Sequence, residues 1–153
     1  MKLNLIYPKW PKLQKQTKFH LPPHGPVVFA AEIPGEIDLT FIDENVQPLN
    51  VSTDVDLVAI STMLSSQLPR AFEIAAAYRS VGIPVIFGGI ATMLHANQVM
   101  KHADSVFLGE AEGRFGEVLA DFKLGKLKPV YNYMEVLPDI STVGTARRDI
   151  LQR

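Results

Sequence analysis

A doubly wound α/β domain built on an all-parallel sheet is the fold this sequence predicts, on three observations. Short apolar runs alternate with stretches of helical spacing, the pattern left by parallel strands joined through crossover helices. The run Leu57-Val58-Ala59-Ile60 is apolar at every position, as a central strand covered on both faces must be. Small or hydroxyl residues close the later runs: Ser61-Thr62, Gly88-Gly89 and Gly109 before Glu110. The 153 residues suit one domain.

Leu3 to Tyr7 is the first expected strand. Pro8, Pro11, Pro22, Pro23 and Pro26 then punctuate a long loop, because proline fixes φ and removes a donor. A short helix over about Val27 to Ile33 is stopped by Pro34-Gly35, and Ile37 to Asp43 is the second strand. After the third strand, Ser65 or Ser66 is expected to cap a helix running to about Val81. Its stripe at helical spacing is Leu68, Phe72, Ala75, Ala76 and Arg79, widened by Ile74, Tyr78 and Val81, and Gly82 ends it. Val85 to Phe87 is the fourth strand, followed by a helix over about Ala96 to His102. Ser105 to Leu108 is the fifth strand, followed by a helix over about Glu112 to Phe122. From Tyr131 onward the periodicity is lost, although Arg147 to Arg153 could begin a helix. The expectation is therefore a five-stranded flavodoxin-like (Rossmann-like) sheet in strand order 2-1-3-4-5, since right-handed crossovers leave few alternatives.

Composition narrows the functional classes. Apolar residues make up 47% and charged residues 20%, which is ordinary globular usage. With no cysteine, the sequence contains no disulfide, thiolate zinc site or cysteine-held iron–sulfur cluster, and it fits a reducing, cytoplasmic setting. A net charge of −1 lacks the footprint of a nucleic-acid binder. Lys2, Lys9, Lys12, Lys15 and Lys18 crowd the N-terminus and read as a solvated loop face. No apolar run has the length of a membrane span.

In such sheets a ligand sits beyond the carboxyl ends of the strands, near the switch in strand order. The candidate binding residues are those that follow each strand: Tyr7, Asp43, Glu44, Ser61, Thr62, Gly88, Gly89, Gly109 and Glu110. Each has a plainer role beside the functional one. Gly88-Gly89 makes a tight turn, the hydroxyls make helix caps, Asp43 makes a local turn bond, and Glu112 complements a helix dipole. Glu110, behind a glycine at the mouth of the sheet, is the better ligand contact of the two glutamates. His20, His24, His95 and His102 form no two-histidine spacing on a helix face, and no metal site is expected. There is no G-x-S-x-G elbow, no Walker A loop and no G-x-G-x-x-G after the first strand. A phosphoacceptor receiver would need an aspartate where Ser61 stands and a lysine where Glu110 stands.

Taken in order, L-I-Y-P (5–8), L-P-P-H-G (21–25), F-I-D-E-N (41–45), D-L-V-A-I-S (56–61), G-I-P-V-I-F-G-G-I-A-T (82–92) and H-A-D-S-V-F-L-G-E-A-E (102–112) resemble the N-terminal cobalamin-binding-type domain of radical S-adenosylmethionine proteins. The resemblance implies a cobalamin-binding α/β domain over 1–135. It also implies a linker over 136–153, toward a barrel carrying a 4Fe-4S cluster and S-adenosylmethionine. By position, the nine candidate residues would form the cobalamin pocket, with Gly88 and Gly89 giving clearance for the nucleotide tail. Asn45 stands where cobalamin mutases carry the histidine that ligates cobalt, so binding without a histidine lower ligand is implied. The chain alone would be non-catalytic, with the barrel of the same polypeptide as its partner in an enzyme of Fe-S oxidoreductase or methyltransferase type. The alternative is a cofactor-free scaffold of the same fold that docks on the barrel. A binder needs a deep apolar slot beside Gly88-Gly89, whereas a scaffold would fill that slot with large side chains.

Overall fold

The computed structural model describes residues 1–11 and 21–151. Lys12, Lys15, Lys18 and His20 lie outside the described residues, as do residues 152–153 at the end of the C-terminal segment. In chain order the regular elements are β1 (Lys2–Tyr7), α1 (His24–Phe29), β2 (Asp38–Asp43), β3 (Leu57–Ser61), α2 (Leu68–Ser80), β4 (Val85–Gly88), α3 (Ile90–Leu94), α4 (Ala96–Val99), β5 (Ser105–Leu108), α5 (Phe115–Lys123) and β6 (Val130–Asn132). Single 3-10 turns extend α1 over Ala30–Glu32, lead into α2 over Ser65–Gln67, and occur at Ile140–Thr142 and Arg148–Ile150.

All strand pairs are parallel, in the order β2-β1-β3-β4-β5-β6. The expected order of the first five strands holds, and the strand count is corrected from five to six. β6 pairs Val106 with Val130 and Leu108 with Asn132. It carries one buried side chain, Tyr131, between two exposed ones, too short a run to announce itself.

Because side chains alternate across a strand, the sheet buries two separate layers. One face carries Ile6, Val58, Ile60, Val85, Phe87 and Val106 under α2, α3 and α4. The other carries Leu3, Leu5, Leu57, Ala59, Ile86 and Phe107 under α1 and α5. α2 seats Leu68, Ala71, Ile74, Ala75 and Tyr78 on the first face, a stripe at helical spacing. Each fully buried large apolar side chain there contributes about 1.5–3 kcal/mol. The buried Asn4 amide on that side donates to the Tyr78 hydroxyl at 3.4 Å.

The position of α5 matters for the site. The crossovers β3–α2–β4 and β5–α5–β6 advance the same way across the sheet, yet their helices lie on opposite faces. The two connections therefore have opposite hands, and β5–α5–β6 is the exception to the usual rule. By returning to the α1 face, α5 leaves a channel between itself and α1.

Local differences have simple causes. Neither Ser65 nor Ser66 provides a side-chain cap. Gln67 instead braces the chain that enters the helix: its Oε1 accepts the Met63 and Leu64 N–H groups at 2.8 and 2.9 Å, and its amide donates to the Pro8 carbonyl. The helix expected at Ala96 to His102 is the shorter α4, Ala96–Val99, and an unexpected short helix α3 precedes it, separated by His95, whose φ of −125° leaves the helical basin. The last helix starts at Phe115, not Glu112. The segment after β6 returns over α1: the Arg147 N–H donates to the Val27 carbonyl at 2.8 Å, and Ile150 and Leu151 pack on the α1-side core.

Candidate functional site

On the α1 face, the register of the central strands sets small residues side by side. Leu5 pairs with Ala59 and Ala59 with Ile86; one step toward the carboxyl end, Ser61 pairs with Gly88. Ala59, Ser61 and Gly88 depress the middle of the sheet, while Phe107 stands on the β5 side. α1 forms one wall through His24, Gly25, Val28 and Phe29, and the β5–α5 segment forms the other through Ala111, Glu112 and Phe115. The result is a mainly apolar cavity of about 340 Å³ that opens at the carboxyl end of the sheet, within the size range of small-molecule sites.

Of the nine residues expected from sequence, Ser61, Gly88, Gly89, Gly109 and Glu110 line this cavity. Tyr7, Asp43, Glu44 and Thr62 do not line it, and each is engaged elsewhere.

Tyr7 packs edge-on to Trp10, and its hydroxyl lies 3.8 Å from the Met63 sulfur. Burial pushes its phenol pKa up, with a Gln67 hydrogen bond opposing the shift. Asp43 is buried and accepts the Asn45 backbone N–H at 2.8 Å and the Asn45 side-chain amide at 2.9 Å, the turn role its residue type allows. Glu44 is clasped by Arg70, whose Nε and terminal nitrogen reach the carboxylate at 3.1 and 2.7 Å. That side chain is only 4% exposed. The Glu44 hydrogen bond, followed by that of Glu73, raises the Arg70 pKa.

Thr62 is fully buried, with its hydroxyl 2.9 Å from that of Thr92. Both threonine hydroxyls reach the Gly88 carbonyl, at 3.2 and 3.1 Å. This network ties the end of β3 to the end of β4 and the start of α3. It satisfies three buried polar groups on the side away from the cavity.

The two central glycines have different reasons to be glycine. Gly89 has φ +93°, and a β-carbon there would run into the Thr62 backbone. At Gly88 no atom lies within 4 Å of the β-carbon position, and strand alternation places that position on the cavity face with Ile86. Clearance is thus provided by Gly88, whereas Gly89 is required by close backbone approach. Gly109 resembles Gly89: its φ is +104°, and a β-carbon would lie 2.7 Å from the Tyr133 carbonyl carbon.

Sequence reasoning missed the α1 wall, because His24 to Phe29 begins inside the proline-rich stretch. It also assigned Glu112 to a helix dipole. Glu112 precedes the helix, whose first-turn acid is Glu117, and instead lines the cavity. Among the described residues no group of three or more His, Asp or Glu side chains is placed to hold a metal ion, and no helix is long and apolar enough to cross a membrane.

No family model matches the chain. Among characterised proteins, it is similar to bacteriochlorophyllide d C-8(2)-methyltransferase of Chlorobaculum tepidum, at 29% identity over 112 residues, covering 72% of this chain and 25% of the relative. It is also similar to bacteriochlorophyllide d C-12(1)-methyltransferase of the same organism, at 31% identity over 104 residues, covering 66% of this chain and 22% of the relative. The chain thus spans about a quarter of the length of the curated relatives it matches.

Proposed function

We propose that this chain is the cobalamin-binding module of a radical S-adenosylmethionine methyltransferase, holding the cofactor at the carboxyl edge of its sheet. The observation that carries the reading is the cavity itself. A domain kept only as a scaffold has no need of a 340 Å³ apolar slot floored by Ala59, Ser61 and Gly88. The similarity to two methyltransferases supports the same class.

The residues present fit the cofactor's tail. The apolar walls favour burial of an uncharged ring, and the bare Gly88 position leaves room for it. The Ser61 hydroxyl and the carboxylates of Glu110 and Glu112 supply the few polar contacts that orient a ligand. Asp43 holds Asn45 through two hydrogen bonds, and this turn offers no imidazole for cobalt. When bound, cobalamin supplies methyl-transfer chemistry. The chain's own residues bind and orient it, and exclude water from its tail. A 4Fe-4S cluster and S-adenosylmethionine belong, on this reading, to a barrel in the same polypeptide. A cofactor-free scaffold is the second reading, favoured by the inward engagement of Asp43, Glu44 and Thr62.

A visible-spectrum titration with hydroxocobalamin, backed by calorimetry, separates the two. Saturable micromolar binding that Gly88→Leu abolishes while the fold is retained is the expected result. Absence of cobalamin uptake by both this chain and the full polypeptide would leave the scaffold reading standing.

A further inference from the structure

Among the described residues of the cavity lining, Glu112 alone has a buried side-chain oxygen, Oε2, without a hydrogen-bond partner. Its backbone surroundings are fixed, because the next N–H, that of Gly113, donates to Glu32 Oε2 at 2.6 Å and ties this wall to the end of α1. The neighbouring cation is not its partner. Arg114 lies over the Tyr133 ring at 4.8 Å and reaches the Leu137 carbonyl at 3.4 Å, while its buried Nε has no hydrogen-bond partner of its own and forms none with Glu112. A carboxylate oxygen removed from water without a donor is costly, and an apolar side chain such as that of Ala111 would line the same wall without that cost. Retaining the acid makes sense where a donor arrives with the ligand.

We infer that Glu112 is a specificity-determining acceptor in the slot. It takes a hydrogen bond from a hydroxyl or amide N–H on the part of the ligand that enters, and it disfavours ligands presenting a carboxylate or phosphate at that depth. The inference rests on the cobalamin reading and deepens it. The entering group is a neutral nucleoside-like moiety, its apolar ring against Ile86, Phe107 and Phe115 and a hydroxyl toward Glu112.

The test uses two probes, hydroxocobalamin by calorimetry and the free dimethylbenzimidazole ribonucleoside by NMR titration. Each is run on the wild-type protein, Glu112→Gln and Glu112→Leu. Glu112→Gln keeps an acceptor oxygen and should bind both within about threefold of wild type, whereas Glu112→Leu should weaken both by about tenfold or more. Its melting temperature should be unchanged or raised, since an unpartnered buried oxygen is removed. Equal binding to wild type and Glu112→Leu would overturn the acceptor role and leave the cobalamin reading intact. Glu112-dependent binding of the nucleoside alone would overturn the cobalamin reading and keep the acceptor. Binding of neither probe to the wild type, or a Glu112→Leu fold destabilised by several degrees, would overturn the inference.

Discussion

The Thr62 carbonyl oxygen occupies the space that a β-carbon on Gly89 would need. The adjacent Gly88 faces open cavity, so two neighbouring glycines answer to different constraints. Gly89→Ala should therefore destabilise the fold by about 1–3 kcal/mol, from positive φ and backbone collision together. Gly88→Ala should change stability by less than about 1 kcal/mol. Urea denaturation of both variants measures the contrast.

The Glu44–Arg70 pair is unequal in exposure, 4% for the carboxylate side chain against 32% for the guanidinium side chain. Arg70→Ala removes the counter-charge of a buried carboxylate, leaving it the Lys9 N–H at 3.3 Å, and should cost about 3 kcal/mol. Glu44→Ala leaves an arginine that still bonds Glu73 at 2.7 Å and reaches water, and should cost roughly 1–2 kcal/mol. The double variant should be more stable than Arg70→Ala alone. Hydroxocobalamin affinity should be unaffected by Glu44→Ala, since Glu44 lies outside the cavity lining. A double-mutant cycle by denaturation, with one binding titration, checks all of this.

Thr92→Val keeps shape and removes a hydroxyl that bonds both Thr62 and the Gly88 carbonyl. The Gly88 carbonyl retains the Thr62 N–H at 2.9 Å, so the cost should be about 1 kcal/mol rather than the full penalty of an orphaned group. Thermal denaturation read against wild type gives the value.

Removal of residues 144–153 deletes the Arg147 N–H bond to Val27 and the packing of Ile150 and Leu151. Amide exchange along α1 should accelerate at least severalfold, while exchange in β3 and β4 stays slow. Hydrogen exchange followed by mass spectrometry resolves the two regions.

Strands β1 to β5 could be read from sequence because each carries an apolar run. β6 could not: Val130-Tyr131-Asn132 buries one side chain of three, and its crossover has the hand that the general rule disfavours. The site was half legible for a related reason. Position after a strand identified the mouth, and Ser61 and Gly88 face the cavity, with Gly109 contributing backbone to its lining. Thr62, one residue further on, is buried outside the cavity lining, and that choice of face depends on where α5 lies. Asp43 and Glu44 carry the right chemistry, but a turn and an arginine from α2 use it up. Glu112 was misjudged because the helix it was assigned to begins at Phe115.

The two long sides of the slot differ in stiffness. Its floor is a parallel sheet stapled by the Thr62–Thr92 network, whereas the opposite wall rests on α1, six residues long and with no side-chain bond at its N-terminus. Fluctuations of the apo protein should concentrate in that wall. Ligand capture then loses entropy mainly by quieting α1, and the rate of release is set by how often that short helix lets go.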